Sequence, residues 1–204
     1  MKHAVFFIYF LFSCGLINCP ALQAQTSQSL PLSVTLMDES PSLGNHWFLS
    51  FPYHPAARVG TEHILHKFAS SDIYLAPNLG FWYDPRNEVG VHLNLDLGYR
   101  YRYGRWFITP RVGAGFLYRV ILVPQYELKQ GLNALEETSS SGLPYLMVAA
   151  TVKIGLQLRK EEYAPELYLN LTQSFQAPFN FYSGYHQLVG IGLQFYPFKD
   201  SENR

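Results

Sequence analysis

Val89-Gly90-Val91-His92-Leu93-Asn94-Leu95-Asp96-Leu97-Gly98-Tyr99-Arg100-Tyr101-Arg102-Tyr103 decides the fold. Every odd position is apolar or Tyr, and every even position is polar or Gly. A helix turns once in 3.6 residues and would mix the two sets within a turn, whereas a strand sends alternate side chains to opposite faces. The stretch is therefore a long strand with one apolar and one polar face.

The same period runs outward in both directions. Ile73, Leu75, Leu79, Phe81 and Tyr83 oppose Asp72, Asn78 and Gly80. Trp106, Ile108, Val112, Phe116 and Tyr118 oppose Thr109, Arg111, Gly113, Gly115 and Arg119. Further members are Leu146–Leu158, Leu167–Phe175 and Val189–Phe195, with a weaker first one at Ala57–Leu65. Short polar or Gly-containing links such as Tyr103-Gly104-Arg105 and Asp84–Glu88 read as hairpin turns. Seven segments follow, all expected to be antiparallel.

Alternation does not say which face points inward. A soluble barrel keeps its apolar face inside, and a membrane barrel keeps it outside. Composition favours the second: 48 % of the 204 residues are hydrophobic, 16 % aromatic and only 15 % charged, against roughly 25 % charged in soluble domains. The segments are long enough to cross a bilayer as tilted strands, which takes about 9–11 residues. Tyr99, Tyr101, Tyr103 and Trp106 gather at segment ends, as interfacial girdles do. The opposite face carries Gly, Asn, Asp, Arg and Gln, a set suited to a crowded interior. Leu95, Val112 and Val152 are expected to face lipid.

Lys plus Arg equal Asp plus Glu at 15 each, so no basic footprint points to nucleic acid. Met1-Lys2-His3 followed by the apolar run Ala4–Ile17 and by Ala21-Leu22-Gln23-Ala24 reads as an export signal cut after Ala24. Both cysteines, Cys14 and Cys19, lie inside it, so the mature chain has no disulfide and no thiolate chemistry. The expected organisation is a signal peptide over 1–24, a flexible polar arm over 25–44, a barrel over 45–198 and a tail over 199–204.

Strand parity tests this arrangement. Bacterial barrels have an even strand number, short turns at the periplasmic end and long loops outside. If the strand ending near Phe198 descends, the twenty-residue connection Leu122–Leu143 falls outside and Tyr103–Arg105 inside. An eighth strand must then precede Ala57. Asn45–Tyr53 is the best candidate, with Leu32–Met37 the alternative.

These features resemble the small outer-membrane β-barrel proteins of Gram-negative bacteria, of the eight-stranded type. The resemblance covers about residues 45–198 and rests on pattern. Val189-Gly190-Ile191-Gly192-Leu193-Gln194-Phe195 is similar to the C-terminal assembly signal of that class, although Lys199–Arg204 extend beyond it. It implies a closed, transmembrane, up-and-down barrel in the cell outer membrane, among lipid and lipopolysaccharide, inserted by the barrel assembly machinery.

Function is less legible. Arg58, Glu62, Asp72, Asp96, Arg100, Arg102, Arg111, Arg119, Lys153 and Glu166 all fall on the polar face. Enclosed charges must pair, so they are expected to form a network filling the lumen. The basic excess of that set would otherwise bias a narrow, porin-like pore toward anions. His63 and His66 point to opposite faces, and no metal site or cofactor is expected. Some small outer-membrane barrels modify lipid A with a Ser and a His near the membrane boundary. The nearest material here is Ser183 and His186, with Glu166 as acidic orienter. The main expectation is a non-enzymatic structural or binding role in the envelope. An extracellular ligand would bind the loop after Leu122, whose middle, Leu128–Glu137, has the spacing of a short amphipathic helix.

Overall fold

The computed structural model describes residues 30–40, 54–123, 125–129, 134–138, 142–160, 163–177 and 184–197. All its regular elements are strands: β1 (Leu32–Ser40), β2 (Pro55–Thr61), β3 (His63–Lys67), β4 (Ser71–Asp84), β5 (Glu88–Tyr103), β6 (Trp106–Ile121), β7 (Gln125–Lys129), β8 (Ala134–Thr138), β9 (Leu143–Gln157), β10 (Glu166–Ala177) and β11 (Tyr185–Phe195). The main sheet runs β2-β1-β11-β10-β9-β6-β5-β4-β3, and a β2–β4 pairing closes it. Since β2 and β3 occupy successive stretches along β4, the wall is a closed barrel of eight antiparallel strands. Closure leaves no unpaired edge.

The first strand differs from expectation. Leu32–Ser40, assigned above to a flexible arm, pairs with β11 from Leu32↔Phe195 to Ser40↔Gln187 and with β2 from Leu32↔Thr61 to Asp38↔Pro55. The barrel therefore starts at Leu32, not at Asn45. Leu32, Val34 and Leu36 face out while Ser33, Thr35 and Met37 are buried, a cleaner alternation than residues 45–53 offer. Asn45–Tyr53, the preferred candidate, lies outside the described residues.

Two interruptions in the wall coincide with prolines. The ladder between β2/β3 and β4 stops after Gly60↔Asn78 and resumes at His63↔Leu75, leaving Pro77 in the gap. The β5–β6 ladder stops after Gly98↔Arg111 and resumes at Tyr101↔Ile108, leaving Pro110 in the gap. Proline has no N–H to give a ladder. Glu62 and Arg100 sit at these two breaks and point inward.

Outside, the apolar face is continuous: Leu93, Leu95, Leu97, Val112, Val148, Val152, Ile154, Leu169 and Ile191 are all exposed. Inside, the small residues of the polar face have partners. Gly80, Gly90, Gly98, Gly155 and Gly192 are directly cross-strand from His92, Trp82, Tyr74, Phe107 and Tyr168, whose rings fill the space a Cβ would take. Gly104, with φ at 61°, makes the two-residue turn between β5 and β6 that only a left-handed residue allows.

The connection after Leu122 contains no helix in its described part. Gln125–Lys129 and Ala134–Thr138 form a separate hairpin, with Leu128 directly opposite Leu135. Tyr126, Leu128 and Leu135 alternate with Gln125, Glu127 and Glu136, a period of two that outweighed the three-residue spacing of the leucines. The turns Gly104-Arg105 and 68–70 lie at one end of the barrel, and this hairpin lies at the other.

Candidate functional site

The interior is layered. At the end carrying the β7–β8 hairpin, Glu39 of β1 accepts His186 of β11, Nδ1 to Oε1 at 2.8 Å. His54, just before β2, lies between carboxylates: its Nδ1 is 3.5 Å from Glu39 Oε2 and its Nε2 3.5 Å from Asp84 Oδ1. Its backbone N–H donates to Asp38 Oδ1 at 2.9 Å. Beside them Glu88 pairs with Arg119 and accepts Trp82 Nε1 at 3.3 Å. All these side chains are buried.

Beneath this charged cap lies an apolar layer of Met37, Ala56, Trp82, Leu117, Tyr145, Met147 and Leu188. It crosses the lumen, since its members come from β1, β2, β4, β6, β9 and β11. Trp82 is the hub, with its ring 4.9 Å from that of His186 above and 5.4 Å from that of His92 below.

The third layer is the charged network. Glu62, at the proline-marked break, pairs with Arg100 through Oε2 and with Arg111 through Oε1. It also accepts Gln194 Nε2 at 3.1 Å and lies 3.7 Å from Lys153 Nζ. Arg100 extends to Glu166 at 3.7 Å, and Asp72 pairs with Arg102 near the turn end. Aromatic rings complete the packing: both Arg100 and Arg111 lie over Tyr74, at 5.2 and 5.0 Å from its centroid. Delocalised guanidinium planes suit such stacking.

The ten polar-face charges named from sequence all lie inside, nine of them buried, while Arg102 keeps 31 % of its side chain exposed. They are not one cluster, because Arg119 belongs to the cap on the far side of the apolar layer. Sequence reading missed Glu39, Asp84 and Glu88. Extending the alternation of β4 and β5 by one step would have found Asp84 and Glu88, which were assigned to a turn. With these three carboxylates the basic excess of the lumen disappears, and the expected anion bias of a pore loses its basis.

The proposed triad does not assemble. Glu166 pairs with Gln194, whereas His186 pairs with Ser174. Eight residues of β11 separate the two levels, roughly 26 Å at the usual rise. The carboxylate that touches His186 is Glu39. Ser183 lies outside the described residues. Leu95, Val112 and Val152 are on the exterior, 53 %, 63 % and 39 % exposed. Among the described residues no three His, Cys, Asp or Glu side chains converge as metal ligands.

Solved structures with a similar fold exist. The crystal structure of Neisserial surface protein A superposes with a TM-score of 0.51 over 82 % of this chain and 95 % of that one, at 8 % identity. The fold is that of a small outer-membrane β-barrel. The crystal structure of the outer-membrane enzyme PagL is similar at a TM-score of 0.50, covering 81 % of this chain and 98 % of that one, at 10 % identity. No family model and no curated protein sequence matches the chain. At such identities the likeness concerns the fold alone and carries no residue roles across.

Proposed function

We propose that the chain is an exported, non-conducting protein of the bacterial outer membrane with a structural or binding role in the envelope. The observation that carries this reading is the apolar layer around Trp82. An ion crossing the lumen would have to shed its water against Met37, Leu117, Met147 and Leu188, which lines up with plugging rather than conduction. The unbroken apolar exterior fits immersion in lipid, with lipopolysaccharide as neighbour in the outer leaflet. The barrel assembly machinery is the expected route of insertion, after removal of residues 1–24.

The working surface in this reading is the long connection after Leu122, including the β7–β8 hairpin. Connections of this length in a compact domain are usually functional. An extracellular ligand is its proposed partner. Two measurements test the proposal together. Fractionation should place the protein in the outer membrane with heat-modifiable gel mobility, and planar bilayers should show no discrete conductance. A protein soluble in the periplasm, or steady channel openings, overturns it.

One observation favours a second reading, a lipid-modifying hydrolase. His186 is oriented by Glu39 through Nδ1, and its Nε2 has no partner, as a general base requires. Its ring points into the lumen, away from the lipid that such an enzyme would process. Lipid A from cells lacking the protein should be unchanged in mass. A mass change restored by wild type but not by His186→Ala would establish the hydrolase.

A further inference from the structure

We propose that His54 is a proton-operated clasp on the seam where the barrel closes, tightening the β2–β4 contact in mild acid and loosening it above neutrality. That seam carries a short ladder, from Ala56↔Trp82 to Gly60↔Asn78. At the hairpin end it stops at Pro55, which has no N–H to extend it. One residue before Pro55, the same register places His54 opposite Asp84 of β4. The β1–β2 register places it opposite Glu39 of β1, whose N–H donates to the His54 carbonyl at 2.9 Å. A side chain thus spans the seam where the backbone ladder has ended.

The imidazole meets acceptors on both sides. Nδ1 is 3.1 Å from the Glu39 carbonyl oxygen and 3.5 Å from Glu39 Oε2, and Nε2 is 3.5 Å from Asp84 Oδ1. Neutral imidazole has one N–H and must turn a lone pair toward one of these oxygens, whereas imidazolium donates on both sides. The clasp therefore joins β1, β2 and β4 only when doubly protonated, and histidine changes charge between about pH 5 and 8. Asp84 is a fixed jaw: Oδ1 also accepts the Arg86 N–H at 2.9 Å, and Oδ2 accepts Asn87 Nδ2 at 2.6 Å.

The surroundings are mostly anionic. Strand β1 contributes Asp38 and Glu39, β4 Asp84, β5 Glu88, β6 Arg119, β9 Tyr145, and β11 Tyr185 and His186, while Arg86 on the turn is exposed. Strand β10 presents the uncharged Ser174 and Gln176. Four buried carboxylates thus face one buried guanidinium, Arg119, which pairs with Glu88. His186 takes Glu39 Oε1 at 2.8 Å, and the other oxygen is the one near His54. The ordinary ranges of carboxylates and tyrosines lie outside the histidine window, so the two histidines are the groups that titrate there. A folded state that holds the extra proton loses stability as pH rises.

Amide hydrogen exchange of the full mature chain in detergent micelles, at about pH 5.5 and about pH 8, tests the clasp. After correction for intrinsic rates, protection across Ala56–Gly60 and Leu79–Trp82 should fall about tenfold at the higher pH, as loss of one charge-assisted hydrogen bond implies. The β5–β6 ladder should keep its protection. His54→Gln should remove the difference, because the amide fills similar space without taking up a proton, and His186→Gln should leave it in place. If His54→Gln does not refold, Asp84→Asn, which removes the charge of the opposite jaw, should remove the difference as well. Equal β2–β4 protection at the two pH values, an equal change at β5–β6, a difference that survives substitution of His54 or Asp84, or one that vanishes with His186→Gln overturns the clasp.

Discussion

Trp82 lies across Gly90, its direct cross-strand partner, so that a Cβ built on the glycine would stand 2.2 Å from the indole Cε2 and Cζ2. The indole reaches the middle of the lumen because its neighbour has no side chain. Met37 over Gly190, Asn94 over Gly115 and Asp96 over Gly113 repeat the relation. The glycines of the polar face are thus the sockets of the interior.

This sets the sign of a glycine substitution. In an ordinary strand Gly→Ala relieves backbone entropy and tends to stabilise. Here Gly90→Ala should destabilise, by about 1–3 kcal/mol as overpacking does, and the cost should shrink in a Trp82→Ala background. A double-mutant cycle on urea unfolding measures it. Equal cost in both backgrounds would show that the indole is not what occupies the socket.

The exterior makes a second prediction. Arg in place of Leu95, Val112 or Val152 should cost about 2–4 kcal/mol near the bilayer midplane. Arg in place of Gly98 or Gly113 should fail for another reason, by displacing Tyr74 or Asp96 from the lumen. Refolding titrations into lipid vesicles separate the two, because thinner bilayers should relieve only the first group. Uniform tolerance at the three exterior sites would mean that they do not meet acyl chains.

The network predicts unequal costs for its carboxylates. Glu62 holds Arg100 and Arg111 in a fully enclosed setting, so Glu62→Gln should cost about 3–5 kcal/mol as removal of one partner from a buried ion pair does. Asp72 pairs with Arg102, whose side chain is 31 % exposed. Asp72→Asn should therefore cost far less, since water can take over the guanidinium. Comparable midpoints for the two variants in urea would contradict the layered picture.

Among the described residues the β7–β8 hairpin pairs within itself and with no barrel strand. Replacing Gln125–Thr138 by a short Gly/Ser link should leave the barrel folded and heat-modifiable while removing any surface binding. Loss of membrane assembly in that variant would make the hairpin part of the scaffold.

The period-two pattern of Val89–Tyr103 and its repeats was sufficient for strand type, for the two faces and for eight strands by parity. It also placed ten charges inside, because the side to which a strand residue points depends only on odd or even position. Height and stagger are different quantities. Which of Leu32–Met37 or Asn45–Tyr53 opens the barrel depends on a pairing with β11 that joins the two ends of the chain. A local pattern carries no information about a partner more than 140 residues away.

The same holds for the chemistry. Glu39 meets His186 across 147 positions of sequence, whereas Glu166, much nearer in sequence, lies at the far end of β10, opposite Gln194. Only closure of the sheet, with its fixed stagger between strands, sorted the polar face into a cap, an apolar layer and a network. Sequence alone determined which side chains are inside; tertiary structure decided which of them touch, because contact across a lumen is set by the relative slide of strands that no single strand encodes.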